Sequence, residues 1–206
     1  MNATQDTRKI AGEYTVTHLR PVPEAMDKFK PLWDARNLAM EAGNKEAEIA
    51  LTAAMRPYQY EVGETETFHN LLTNVGKNDI LDKYLKGSTY TQTFRMGLKG
   101  TGAAAVGDTQ ASHAGWLEQG LANAPVYTGN RKDVVMGAAA SQVSTSPTQA
   151  FAITSTGTVF GCFTNNGGSA TKDDTTGILF SAGDFAASKA VNNLDTLNVV
   201  YTLTAA

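Results

Sequence analysis

The stretch DTQASHAGWLEQ, residues 108–119, holds the residue types that acyl transfer uses: a serine at 112, a histidine at 113 and an acid at Glu118. That chemistry needs a base against the nucleophile, an acid that orients the base, and donors for the developing oxyanion. Neighbouring residues of an extended chain point to opposite sides, so Ser112 and His113 are poorly placed to meet. No glycine-rich oxyanion loop accompanies them. Trp116 is the more informative residue, because its ring seeks burial and its indole N–H seeks an acceptor. Ala111, Ala114 and Gly115 are small enough to let backbone pass close by. The stretch therefore reads as a packing loop. Asp108 and Ser112 make local turn bonds, His113 makes a structural hydrogen bond, and Trp116 is the anchor.

The remaining chemistry-bearing residues form no complete constellation. No GxxxxGK[ST] phosphate loop and no HExxH metal motif occurs in the sequence. One cysteine, Cys162, and three scattered histidines, His18, His69 and His113, argue against a Cys/His zinc site. FSAGDF contains a serine without the spacing of a nucleophile elbow. The acids of TKDD, Asp173 and Asp174, lack the pattern of a calcium loop and read as a solvated turn. His18 reads as a residue of a strand exposed on one face, the alternative being a ligand. No catalytic, cofactor-binding or metal-ligating residue is predicted, no cofactor is expected, and the chain is expected not to be an enzyme.

Composition bounds the rest. The chain has 206 residues, a formal net charge of −3 and 42% hydrophobic residues. That suits one packed domain and gives no electrostatic reason to expect nucleic acid as a partner. A lone cysteine excludes an internal disulfide framework. The opening MNATQDTRKIAGEYTV lacks the apolar run of a signal peptide, and no run approaches the roughly 20 apolar residues of a membrane span. The expectation is a soluble protein made in the cytoplasm, with no membrane partner.

The elements alternate in character. Residues 10–20 read as a strand with Tyr14, Val16 and His18 on one face. Residues 23–56 are rich in helix formers and read as a helical hairpin broken at Gly43-Asn44. Pro31 is expected to kink or restart its first helix. Met26, Phe29 and Trp33 share one helix face. That face is expected to contact other subunits, the alternative being that the hairpin folds back on its own domain. PYQYEVGETETFH, residues 57–69, reads as a strand with Tyr58, Tyr60 and Val62 on one side. A short helix is expected at 78–86, capped by Asn78 and stopped by Gly87, with Ile80, Leu81, Tyr84 and Leu85 as its apolar face. After Tyr90 the chain reads as successive strands. The predicted fold is mainly β: an antiparallel, jelly-roll-like sandwich over one domain, 1–206. It carries an inserted N-terminal helical hairpin and one short helix, with the sandwich itself over 57–206.

Four segments, HNLLTNVGKNDILDKYLKG, FRMGLKG, DTQASHAGWLEQ and GDFAASKAVNNLDTLNVVYTLTA, resemble a family of small virion structural proteins of tailed bacteriophages. Asn70, Leu71, Thr73, Asn74 and Gly76 match its first motif. Ala111, Ser112, His113, Ala114, Gly115 and Trp116 match its loop. Asp195, Thr196, Leu197, Val199, Tyr201 and Thr202 match its last strand. The resemblance covers residues 10–20 and about 68–206; the helical stretch 23–56 departs from the short family pattern. It implies a virion component, most simply a non-enzymatic decoration or cement protein on the outer capsid surface. Such a protein has the major capsid protein as its partner and associates with itself on the particle. The alternative is a tail or fibre component that binds a host surface or glycan.

Overall fold

The computed structural model describes residues 10–90 and 93–205. The stretch 1–9, and the Thr-Gln at 91–92 that opens the expected TQTFRMGLKG strand, lie outside them. The first strand, β1, is Ile10–Pro21, and a helical hairpin follows as α1 (Met26–Glu41) and α2 (Lys45–Met55). Three short strands, β2 (Gln59–Glu61), β3 (Glu66–His69) and β4 (Leu71–Leu72), lead into α3 (Asn74–Tyr84). The remainder is β5 (Phe94–Lys99), β6 (Glu118–Gln119), β7 (Lys132–Asp133), β8 (Val143–Thr145), β9 (Gln149–Ala152), β10 (Gly157–Asn166), β11 (Ile178–Val191) and β12 (Thr196–Ala205).

The strands form two six-stranded antiparallel sheets. In the first, β1 and β12 pair from Ile10↔Ala205 to Leu19↔Thr196, with β2 and β3 beyond β1 and with β8 and β9 beyond β12. In the second, β4, β11, β10 and β5 are neighbours, with β6 and β7 on the far side of β5. Alternation sets the core faces: Tyr14 and Val16 of β1 and Leu197, Val199 and Tyr201 of β12 are buried against Met96, Leu98, Cys162 and Phe180 of the other sheet. The sheets are also linked by hydroxyls. Tyr14 Oη lies 2.9 Å from Ser181 Oγ, which is 2.7 Å from Thr164 Oγ1. Burial pushes the Tyr201 phenol up to about 12, with bonds to Ser181 and Asn70 pulling the other way.

The hairpin packs on its own sandwich, which corrects the expectation that its apolar face meets other subunits. Phe29 and Trp33 are 0% and 2% exposed and cluster with Met55 and with Ala152 of β9; Met26 is half-buried at the rim. Ala152 pairs with Thr196, one step out of phase with core-facing Phe151 and Leu197, so the hairpin covers the outer face of the first sheet. A half-polar sheet face offers little to bury against, and two aromatic rings at helical spacing supply it. Gly43 makes the turn at φ +69°, and the Asn44 side chain caps α2 by accepting from the Ala47 N–H at 3.1 Å. α1 runs on through Pro31 rather than restarting there.

Two further expectations change. Residues 57–69 form two short strands, and in the first Gln59 is buried while Tyr60 is 44% exposed. Gln59 takes the inward position because its amide reaches Thr196 Oγ1, at 3.5 Å, in the polar layer beneath the hairpin. The short helix starts at Asn74, four residues earlier than Asn78, because Thr73 is the cap. Its hydroxyl accepts from the Gly76 N–H at 3.0 Å and donates to the Leu179 carbonyl. Gly76 is required there, since a Cβ would collide with the Phe180 carbonyl. Of the expected apolar face only Ile80 packs on the core; Leu81, Tyr84 and Leu85 are exposed.

The hairpin also covers charge. Arg36 is fully buried with its guanidinium 4.4 Å over the Trp33 ring. Burial lowers it to about 10, with Glu48 opposing the shift. Lys132 is buried too, and its ammonium donates to the Thr128 carbonyl at 3.1 Å. Desolvation lowers it to about 7, opposed by Glu48 and assisted by Arg36, Lys45 and Lys172.

Trp33→Ala is expected to lower stability by about 3–5 kcal/mol in denaturant unfolding, as for other buried aromatic truncations; an unchanged midpoint would show a hairpin that is not docked. The Lys132 value lies below the ordinary lysine value of 10.5, so the unfolded chain binds more protons between the two. This cost to folding is fully present below about pH 7 and is relieved as pH rises towards 10.5. Lys132→Met is therefore expected to stabilise the protein more at pH 6 than at pH 10, read as the difference between two unfolding curves.

Candidate functional site

The loop 100–117 leaves the end of β5 and folds over the second sheet. Lys99, the last residue of β5, is fully buried, and its ammonium is held by the Gly102 carbonyl and by Asp184 Oδ1 at 2.5 Å. It lies 5.6 Å from the centre of the Trp116 ring. Trp116 is 2% exposed, packs 5.4 Å from the Phe163 ring, and donates its indole N–H to Asp108 Oδ2 at 2.9 Å. The same Asp108 oxygen accepts from the Ala105 N–H, so one carboxylate ties the loop to its anchor. Gly102 sits at φ +98°, and a Cβ there would strike the Gly115 carbonyl; the small residues allow two backbone segments to touch.

His113 lies flat on Trp116, with ring centres 4.0 Å apart and planes 20° apart. Its Nδ1 is 3.0 Å from the Trp116 carbonyl. A carbonyl only accepts, so Nδ1 is the donor in this bond. Glu118 does not orient this imidazole. Its two oxygens accept from Arg131 Nε at 2.9 Å and Nη2 at 2.5 Å, both side chains being buried. Ser112 belongs to a tight turn closed by the Thr109 N–H donating to the Ser112 carbonyl at 2.9 Å. The acid-to-base link of a triad is therefore absent from this loop.

The Glu118–Arg131 pair fastens the TKDD segment as well. Arg131 donates to the Ser169 and Asp174 carbonyls, Glu118 Oε2 accepts from the Asp173 N–H, and Asp173 Oδ2 accepts from the Ala122 N–H. Between the two loops lies a cleft of about 470 Å³ that includes Gln110, His113, Asn123 and Asp173 in its lining. Asp174 is held below the usual carboxylate range by bonds from the Thr176 hydroxyl and N–H. Among the described residues, no group of three or more His, Cys, Asp or Glu side chains is placed to hold a metal ion.

The second polar centre was not legible in the sequence. His18 is 3% exposed and lies on the buried face of β1 with Tyr14 and Val16, as their alternation predicts, the other face being half-exposed. Its Nε2 is 2.7 Å from Asp195 Oδ2. Arg20 grips the same carboxylate through Nη2 at 2.7 Å and Nε at 3.0 Å, and the Asn192 N–H adds 2.9 Å. Burial alone would raise the Asp195 carboxyl. The bonds from His18, Arg20 and Asn192 outweigh it and hold the group below its ordinary value. This carboxylate clamps the start of β12 to the end of β1. Phe29 and Trp33 are remote from either centre in role, since they seat the hairpin.

Trp116→Ala is expected to cost about 3–5 kcal/mol, and a melting temperature equal to that of the unaltered chain would show an exposed ring. Asp195 contributes stability above the ordinary carboxylate value that is lost as pH falls through its lower folded value. Asp195→Asn is therefore expected to destabilise the protein at neutral pH and to flatten its stability profile at the acid end. An acid profile identical in slope to that of the unaltered chain would remove the clamp from this account.

No protein-family model matches the chain, and neither a curated protein nor a solved structure is significantly similar to it.

Proposed function

We propose that this chain is a non-enzymatic structural protein of a tailed-phage virion, a decoration or cement protein that binds the outer surface of the head and bridges major capsid subunits. The observation that carries the reading is the use made of the motif residues. Asn70 donates to the Tyr201 hydroxyl at 3.1 Å, Thr73 caps α3, Trp116 and His113 close the long loop, and Asp195 clamps β1 to β12. Residues from all three matched motifs make fold-closing contacts, as expected where a family resemblance reflects a shared scaffold rather than shared chemistry. The histidine-bearing loop supports the same reading, because its imidazole and its acid are each engaged by other partners.

Such a protein keeps its shape while its outward surfaces carry the contacts. Exposed apolar side chains at the end of α3, Leu81 and Tyr84 with the capping Leu85, are candidates for contact with the shell or with further copies. The partners proposed are the major capsid protein and other copies of this chain, with no nucleic acid and no membrane.

Gold-labelled antibody against the chain, applied to purified virions, tests the reading. Label distributed over the head is expected. Label confined to the tail or its fibres would overturn it in favour of a tail component, and particles free of label would overturn the virion reading altogether. Tyr84→Ser with Leu85→Ser is expected to leave the unfolding midpoint within about 0.5 kcal/mol of the unaltered chain, as for surface changes generally, while weakening binding to shells. Undiminished binding would exclude α3 as the contact.

A further inference from the structure

A cleft of about 480 Å³ opens between the turn of the hairpin, at Gly43 and Lys45, and the segment 129–133. Lys132 forms part of its wall. The residue is 8% exposed, and its ammonium is bonded to the Thr128 carbonyl at 3.1 Å, with the Tyr127 and Phe151 rings centred 5.6 and 5.8 Å away. Gly129, also in the wall, sits at φ +75° beside the amine. Apart from its chain neighbours, a Cβ built at Gly129 would meet nothing within 4 Å but Lys132 Nζ, at 3.8 Å. The space next to this nitrogen is therefore open on the side of the cleft.

The charges acting on the amine are Arg36 of α1, Lys45 and Glu48 of α2, and Lys172. Three are cations, and the fourth, Glu48, is already bonded to Lys45 at 3.1 Å. Lys172 lies over the same Tyr127 ring, at 4.3 Å. Arg36 Nε and Nη2 are buried without a hydrogen-bond partner among the described residues. Elsewhere in the wall, Arg131 is paired with Glu118, Asp133 lies 3.2 Å from Arg95, and Glu41 is exposed at the end of α1. Desolvation holds Lys132 at about 7, opposed by Glu48 and assisted by Arg36, Lys45 and Lys172, so a large share of the amine is uncharged near neutral pH. A lysine that is desolvated and set beside other cations is a nucleophile under ordinary conditions.

The seat of the hairpin thus holds an excess of positive charge and guanidinium donors with nothing to donate to. An anion attached to Lys132 itself relieves both. We propose that Lys132 is a modification site, where the amine adds carbon dioxide to form a carbamate whose carboxylate is stabilised by Arg36, Lys45 and Lys172. The nitrogen lone pair attacks the carbon of carbon dioxide, the N–C bond forms, one C=O electron pair moves onto its oxygen, and one N–H proton passes to water. The nitrogen keeps its other proton and still donates to the Thr128 carbonyl. An aldehyde would give an imine and no anion, so the charges around the site favour carbon dioxide. The site does not depend on the virion reading.

The test is carbon-13 NMR of the full chain equilibrated with labelled carbon dioxide and bicarbonate at about pH 7.5, well below the ordinary lysine value. A carbamate resonance is expected, and its loss in Lys132→Met with an unchanged circular dichroism spectrum. Exposed lysines stay protonated at this pH, and an α-amino group is the competing amine. Trapping separates the two without a variant: a trialkyloxonium salt converts the carbamate to a stable ester, and peptide mass mapping is expected to place that ester on Lys132. Glu48→Gln, which removes the nearby acid, is expected to strengthen the resonance roughly twofold or more. An absent resonance, one undiminished in Lys132→Met, one weakened in Glu48→Gln, or an ester found on other amines alone would overturn the proposal.

Discussion

The pairing of β1 with β12 is the constraint on which the rest of the molecule depends. It joins Ile10 to Ala205 and holds register through to Leu19 and Thr196, so the two ends of the described chain run side by side through the first sheet. Every other strand of that sheet pairs with one of these two. Their inward faces, Tyr14 and Val16 with Leu197, Val199 and Tyr201, meet the second sheet. A slip by one residue would turn all of them outward. The Asp195 carboxylate, gripped by His18 and Arg20 of β1, pins that register at one end. Asn70 and Tyr201 add a further link from the β3–β4 connection. Closure of this pair comes with almost the whole chain between its strands, which places the protein among topologies dominated by non-local contacts and hence among slow folders.

The second theme is charge taken out of water. Lys99, Arg131, Arg36 and Lys132 are all buried, yet their circumstances differ. Arg131 has a two-pronged carboxylate partner and two carbonyls, which is the arrangement that offsets the desolvation of a guanidinium. Lys99 has an acid and two carbonyls. Each of these two cations ties a long irregular segment to the sandwich, so the desolvation yields a fixed loop conformation. Arg36 is less well matched: one weak bond of 3.4 Å to Thr196 and the face of Trp33, with Nε and Nη2 unpartnered. It and Lys132, which has the Thr128 carbonyl, are buried cations without a hydrogen-bonded carboxylate among the described residues, and the aromatic cluster beside Arg36 holds the seat closed.

What could be read in the sequence is what depends on local pattern. The turn at Gly43-Asn44, the stop at Gly87, the alternation along β12 and the burial of Trp116 all follow from residues near one another in the chain. What could not be read depends on partners far away. The place of His18 on the inner face of β1 could be read, but its partner Asp195, 177 positions on, could not. Glu118 looks like a candidate for His113, but Arg131 competes for it and wins on charge and geometry. Thr73 outranks Asn78 as a cap because Gly76 lets the helix press against the Phe180 backbone, a contact with no local signature. The destination of Phe29 and Trp33 was ambiguous for the same reason. An apolar helix face declares that it will be covered, not by what.

Once the hairpin is seated, the surface that remains is uneven. The outer face of the first sheet is closed by α1 and α2 where Ala152 and Thr196 lie. Among the described residues, apolar side chains stay open at the end of α3, with Tyr84 85% exposed, and at a groove between α2 and β9, with Ile49 61% exposed. They differ physically. The α3 end presents side chains alone, so whatever meets it gains by area and is selected weakly by geometry. The groove is walled by α2 on one side and by Val135 and Ala150 on the other, so whatever enters it is limited by shape as well as by area. Both regions rest on the same pairing of first strand with last, because that pairing fixes the sheet that seats the hairpin and the core on which α3 packs.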